Sequence, residues 1–249
     1  MSSQESGKFT AKEQRFKPIP PENLTPEQRA LYDAIKSGPR GAVKNSAAAK
    51  PGPLGGPFNV LLRSPDIGNI IQSLGAAIRF RSSIPAKLNE LAIITVARQW
   101  SAHYEWQAHH RLALEAGLDP AIGEDIAQGR RPAKMSEDEA IIYDFSAELH
   151  ETHGVSDSTY KRALDRFGER GVMDLIAVNG YYVLVSMVLN VDRTPLPEGA
   201  KPLPHKCIPS PLRITATASA SYSTAWSRRH GPGYTHCSPT MRAWAGSIR

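Results

Sequence analysis

The stretch SAHYEWQAHH, residues 101–110, holds three of the chain's eight histidines together with a glutamate, a tyrosine and a tryptophan. Glu105 and His109 are four residues apart, so on a helix they share a face. An imidazole near neutrality can take or give a proton, and an adjacent carboxylate fixes its tautomer and raises its pKa. Ala102 and Ala113 lie on the same stripe, one turn to either side, and leave room for a ligand. Upstream, Glu90 can supply a second carboxylate, and Arg98 a guanidinium suited to gripping a substrate carboxylate through two parallel hydrogen bonds. Tyr104, Trp106 and Asn179 join Arg98 as candidate binding residues, since a buried Asn in an apolar stretch needs a partner and can find it in a site or another subunit. The chemistry implied is proton transfer to and from a small acid. A structural role competes at each position: a Glu–His pair at this spacing stabilises a helix by about a few tenths of a kcal/mol. Likewise, a glutamate soon after Pro85 suits the positive end of a helix.

Metal chemistry is not expected. His103 and His110 stand seven apart and two turns removed, wider than ligands sharing one helix usually are. His150 and His153, with Glu151 between them, share a face near a helix end, where histidine suits the dipole. Thiol chemistry is absent from most of the chain, because Cys207 and Cys237 are its two cysteines. Both fall in a tail, 205–249, that also carries Lys206, Arg213, Arg228, Arg229, Arg242 and Arg249 without one acidic residue. That tail accounts for the whole net charge of +6, leaving 24 basic and 24 acidic side chains elsewhere. A body so balanced offers no general field for a phosphate backbone, so no nucleic-acid partner is expected. No apolar run nears the ~20 residues of a membrane span, and no apolar leader follows the N-terminal charges. A soluble, cytoplasmic protein is the expectation.

The elements that must position these residues are helical. Residues 1–21 are polar and end in KPIPP, which predicts a flexible arm. Thr25 and Pro26 open a first helix that Gly38 stops. Residues 38–57 are too rich in Pro and Gly to be regular, and their apolar residues favour a loop packed near the site. Three-to-four spacing resumes at Ile67, Ile70, Ile71 and Leu74, and again at Leu88, Leu91, Ala92, Thr95 and Val96. Pro85 opens the latter helix; Ser101 is the expected cap of the next, 102–116, closed by Gly117. Pro120 starts a short helix, and Ser136 with Glu139 forms a capping box for a long one ending at Gly154. Ser156 caps another through Phe167, and 172–189 is apolar nearly all round, as a buried helix is. From 194 the chain becomes proline-rich, then small and polar, predicting a disordered basic extension. The domain is therefore 22–193, and all-α.

The segment NELAIITVARQWSAHYEWQAHHRLALEAGL, 89–118, resembles the carboxymuconolactone decarboxylase superfamily, which includes AhpD-like alkyl hydroperoxidases. Glu90, Arg98, Tyr104-Glu105-Trp106, His109, Ala113 and Gly117 carry the likeness, which extends over about 58–193. It implies an AhpD-like helical bundle assembling as a homo-oligomer, trimer or hexamer, with sites close to subunit contacts. In the AhpD-like branch the two redox cysteines would fall at Ala102 and Glu105, so both thiols are missing here, and thiol–disulfide exchange needs both. The decarboxylase branch matches better at Glu105 and His109. It implies loss of a carboxylate from a small carboxylated lactone or related acid, without a cofactor, because the substrate is its own electron sink. The roles that follow are Arg98 on the carboxylate, His109 delivering a proton, Glu105 orienting His109, and Glu90 as second acid. Two alternatives stand beside this: a peroxidase-type oxidoreductase with a divergent non-thiol site, and a non-catalytic oligomer binding a small acid.

Overall fold

The computed structural model describes residues 13–39, 41–42 and 47–204. Residues 1–12 of the expected arm, 40 and 43–46 of the loop, and the extension from 205 with Cys207 and Cys237 lie outside the described residues. Within them are eight α-helices, one short 3-10 turn at Pro21–Asn23, and no strand. The helices are α1 (Pro26–Ser37), α2 (Pro57–Leu61), α3 (Pro65–Phe80), α4 (Ala86–Gln99), α5 (His103–Glu115), α6 (Pro120–Ala127), α7 (Glu137–Thr152) and α8 (Asp157–Asp192).

Local chemistry sets most boundaries where the sequence places them. Thr25 and Gln28 cap α1 reciprocally, as Ser136 and Glu139 cap α7, each satisfying two backbone N–H groups that a helix start leaves open. Two starts differ from expectation. Ser101 does not cap α5; it turns the chain with φ 48°, and Ala102 takes the cap position with no side-chain bond. The two expected C-terminal helices are both present and meet at a kink at Gly168 (φ 68°, ψ 177°), α8 comprising the two; the second starts earlier than expected, with 169–171 already helical. A residue with a Cβ is strained at that φ, so glycine suits the kink that separates the two helices.

Helix α4 is the axis of the bundle. Its residues from Leu88 to Arg98 are all buried, because α5, α7 and α8 pack around it. Leu91, Ile93, Ile94 and Val96 are completely buried, each stabilising the fold by about 1.5–3 kcal/mol before entropy is charged. Among the described residues, the span Asp157–Asp192 is long and apolar enough, by length and composition only and over an 18-residue window, to cross a membrane. Half of that window is buried inside the fold, where Leu175, Val178, Tyr182 and Val185 join the core. A core helix of a soluble bundle meets the same criteria.

Both ends of the described chain are docked rather than loose. Arg15 N–H and Phe16 N–H donate to the Asp192 carbonyl and carboxylate at 2.8 and 2.9 Å, so 13–20, expected in the arm, closes against the end of α8. Residues 194–204, expected in the extension, run back over α5 as a strap. Leu203 is buried, its N–H donates to His103 Nδ1 at 3.1 Å, and Gln107 Nε2 donates to the Lys201 carbonyl at 2.6 Å. One apolar anchor and repeated backbone bonds hold the strap without regular structure.

Candidate active site

Glu105 and His109 face inward from α5, as their spacing requires, and both are buried. His109 Nε2 stands 3.2 Å from Glu105 Oε1. Its other nitrogen, Nδ1, donates to Glu90 Oε2 at 2.6 Å from α4. The imidazole is thus held between two carboxylates, and Tyr182 on α8 meets its ring edge-on at 4.9 Å between centroids. On the far side of Glu90, Arg79 from α3 places Nη2 3.4 Å from Oε1. Four helices converge on one buried cluster, and with His109 protonated its two negative and two positive charges cancel.

Burial alone would lower the His109 pKa, but the fields of Glu90 and then Glu105, with hydrogen bonds to both, raise it above the ordinary value. Burial would likewise raise Glu90, and His109 followed by Arg79 outweighs it, so the carboxyl is lowered. Burial pushes the Tyr182 phenol well above its ordinary value. Tyr104 rises to about 12 through burial and then the Glu105 charge.

The cluster forms one wall of a cavity of about 550 Å³. Arg79, Tyr104, Glu105, His109, Tyr181 and Tyr182 line it from the helices, the loop contributes Ala47, Lys50, Pro51, Pro53 and Gly55, and the strap contributes Pro197 and Ala200. The expectation that the Pro/Gly-rich loop packs near the site therefore holds. Gly56, with φ 56°, is part of that fit: a Cβ there would stand 2.9 Å from the Tyr104 ring and hydroxyl. The volume suits a small molecule.

Not every candidate is brought to the cavity. Arg98 is turned away from its lining, and its Nη1 donates to the Pro204 carbonyl at 2.9 Å, binding the strap. Eight residues separate it from Glu90, about 80° around a helix, so the two occupy different faces. Trp106 stacks on His110, 5.0 Å between centroids, at a shallow second pocket. Asn179 spends its amide on Ser146 Oγ, the Leu175 carbonyl and His150, the structural bond weighed against a site role. Arg79 and Tyr182, conversely, were not singled out from the sequence. Arg79's signal is its place beside Ile78 on the inward side of α3, where a guanidinium requires a partner.

No family model matches the chain, and no curated protein matches it in sequence. Among solved structures, it resembles an uncharacterized peroxidase-related protein from Silicibacter sp. TM1040, with a TM-score of 0.58 and 13% identity. The match covers 80% of this chain and 97% of that one. What the two share is a fold. That all-helical fold is the one the resemblance implied; at this identity, nothing about reaction passes with it.

Proposed function

We propose that the chain is an acid/base enzyme of carbon–carbon lyase type, decarboxylating a small carboxylated lactone or a related acid. The observation that carries it is His109 held between Glu90 and Glu105 in the wall of a cavity of small-molecule size. Such a site can store a proton on the imidazole and release it to carbon. Cationic groups line the same cavity, with Lys50 exposed, Arg111 half-buried and paired with Glu115 at 2.5 Å, and Arg79 deep beside Glu90, and an anionic ligand would find positive charge there. In the proposed step the bond between the carboxylate carbon and its ring carbon breaks and carbon dioxide leaves. The electron pair moves into the conjugated lactone carbonyl, and His109 protonates carbon. Arg98, remote from the cavity, has no direct role; the leaving carboxylate lies towards Lys50 and Arg111.

The test is carbon dioxide release from 4-carboxymuconolactone by the full chain, with His109→Asn as control. Enzyme-dependent release that the control lacks is expected; a chain that binds the lactone without turning it over would instead be a small-acid-binding protein. A peroxidase-type oxidoreductase is the second candidate, favoured by the description of the Silicibacter protein. Ala102 and Glu105 at the positions of the paired thiols weigh against a thiol mechanism. Peroxide consumption with an external dithiol, undiminished when Cys207 and Cys237 are replaced by serine, would transfer the assignment to that class.

Self-association is part of the same proposal. Ile67, Ile70 and Leu74 on α3 and Met173, Ile176, Met187 and Val191 on α8 are left exposed, and contact between copies would cover such side chains. Light scattering is expected to give a trimer or hexamer, and a monomer at micromolar concentration would remove this element.

A further inference from the structure

Tyr182 presents a polar atom with nothing to bond. Its side chain is 2% exposed, and its hydroxyl has no hydrogen-bond partner among the described residues. Proteins seldom leave a buried hydroxyl in that state, since the cost of desolvating it goes unreturned. A phenylalanine would fill the same place against His109 and Tyr181 without that penalty. Yet Tyr182 lines the cavity beside His109 and Arg79, where a bound molecule can supply the missing acceptor.

We propose that Tyr182 and Arg79 together form a donor site for a developing oxygen anion, and that the ligand class is therefore a planar carbonyl compound able to pass through an enolate. The inference rests on the acid/base assignment above and adds which atom of the ligand lies deepest. The Tyr182 hydroxyl donates to the carbonyl oxygen, and Arg79 supplies positive charge behind it. When the carbon–carbon bond to the carboxylate breaks, its electron pair reaches this oxygen as an enolate, and the pair returns to carbon as His109 delivers its proton there. Burial keeps the phenol protonated, so Tyr182 acts as donor and not as base. Glu105 does not oppose the anion, because its charge is met by His109 at 3.2 Å. A donor fixed before reaction stabilises charge that appears only in the transition state.

The experiment uses 4-nitrophenol, whose anion is a planar, stable mimic of an enolate and absorbs in the visible, titrated into the full wild-type chain and into Tyr182→Phe. The wild type is expected to bind the phenolate and the variant to bind it about tenfold or more weaker, one lost hydrogen bond to a charged oxygen. Thermal unfolding of the variant should stay level or rise, because an unbonded hydroxyl is removed; a role confined to the core would instead lower the midpoint and spare binding. If carbon dioxide is released from the lactone, kcat of Tyr182→Phe should fall about 100-fold with little change in KM. Equal phenolate binding by both proteins, or none by the wild type, overturns the proposal. Tyr182-dependent phenolate binding without lactone turnover keeps the oxygen-anion site and discards the lactone assignment, whereas turnover untouched by Tyr182→Phe does the reverse.

Discussion

His109 has Nδ1 bonded to Glu90 at 2.6 Å and Nε2 looser, 3.2 Å from Glu105, so the two carboxylates control when the ring carries its proton and Nε2 is the nitrogen that can release it. Glu105→Gln preserves shape and removes one charge, and kcat on the substrate should drop by about 100-fold or more; a variant with full activity would exclude Glu105 from proton transfer. Glu90 is tested by stability. Its folded pKa is depressed, so its contribution is present above the ordinary value of 4.5 and lost as pH falls through the folded value. The folded pKa of His109 is raised, so its contribution is complete below its ordinary value of 6.5 and lost as pH rises through the folded value. Urea denaturation should therefore show the gap between wild type and Glu90→Gln widest between those two ordinary values, at about 3–5 kcal/mol, narrowing on both sides. A gap independent of pH would mean that neither Glu90 nor His109 has its pKa shifted by the pair.

At the scale of elements, α4 carries the core and α5 the proton-transfer pair, and their defects should separate. Ile94→Ala, in a completely buried position, is expected to cost about 2–5 kcal/mol by chemical denaturation while leaving residual activity per folded molecule unchanged. Gly56→Ala should act in the opposite sense, because its Cβ would drive against Tyr104 at the cavity wall: a raised KM with a smaller stability loss is the expected result. Equal KM in this variant would show that Tyr104 gives way without consequence. These assignments also explain what the sequence could convey. Glu105 with His109, and Ser136 with Glu139, were legible because both relations lie within one turn of one helix. Helix existence followed from apolar period and proline or glycine punctuation. Arg79 and Tyr182 reach the site from α3 and α8, and nothing local at either position reports which helices meet. Arg98 was drawn towards Glu90 by sharing its helix, although the helix phase sends the two side chains to different neighbours.

For the whole molecule, the decisive boundary is the end of the strap. A chain stopped after Pro204 should fold and bind phenolate as the full chain does. A chain stopped after Arg193 loses the buried Leu203 and the backbone acceptors of Arg98 and Gln107, and its thermal midpoint should fall by roughly 4–8 °C together with ligand affinity. Matching behaviour of the two truncations would reduce the strap to decoration. Since Pro197 and Ala200 line the cavity together with residues made some 150 positions earlier, the order of synthesis matters: on the ribosome every described helix is made before the strap that completes the lining. A nascent chain holding the eight described helices would be a nearly finished fold with an open pocket, so its ligand affinity should rise once translation has carried the strap clear of the exit tunnel.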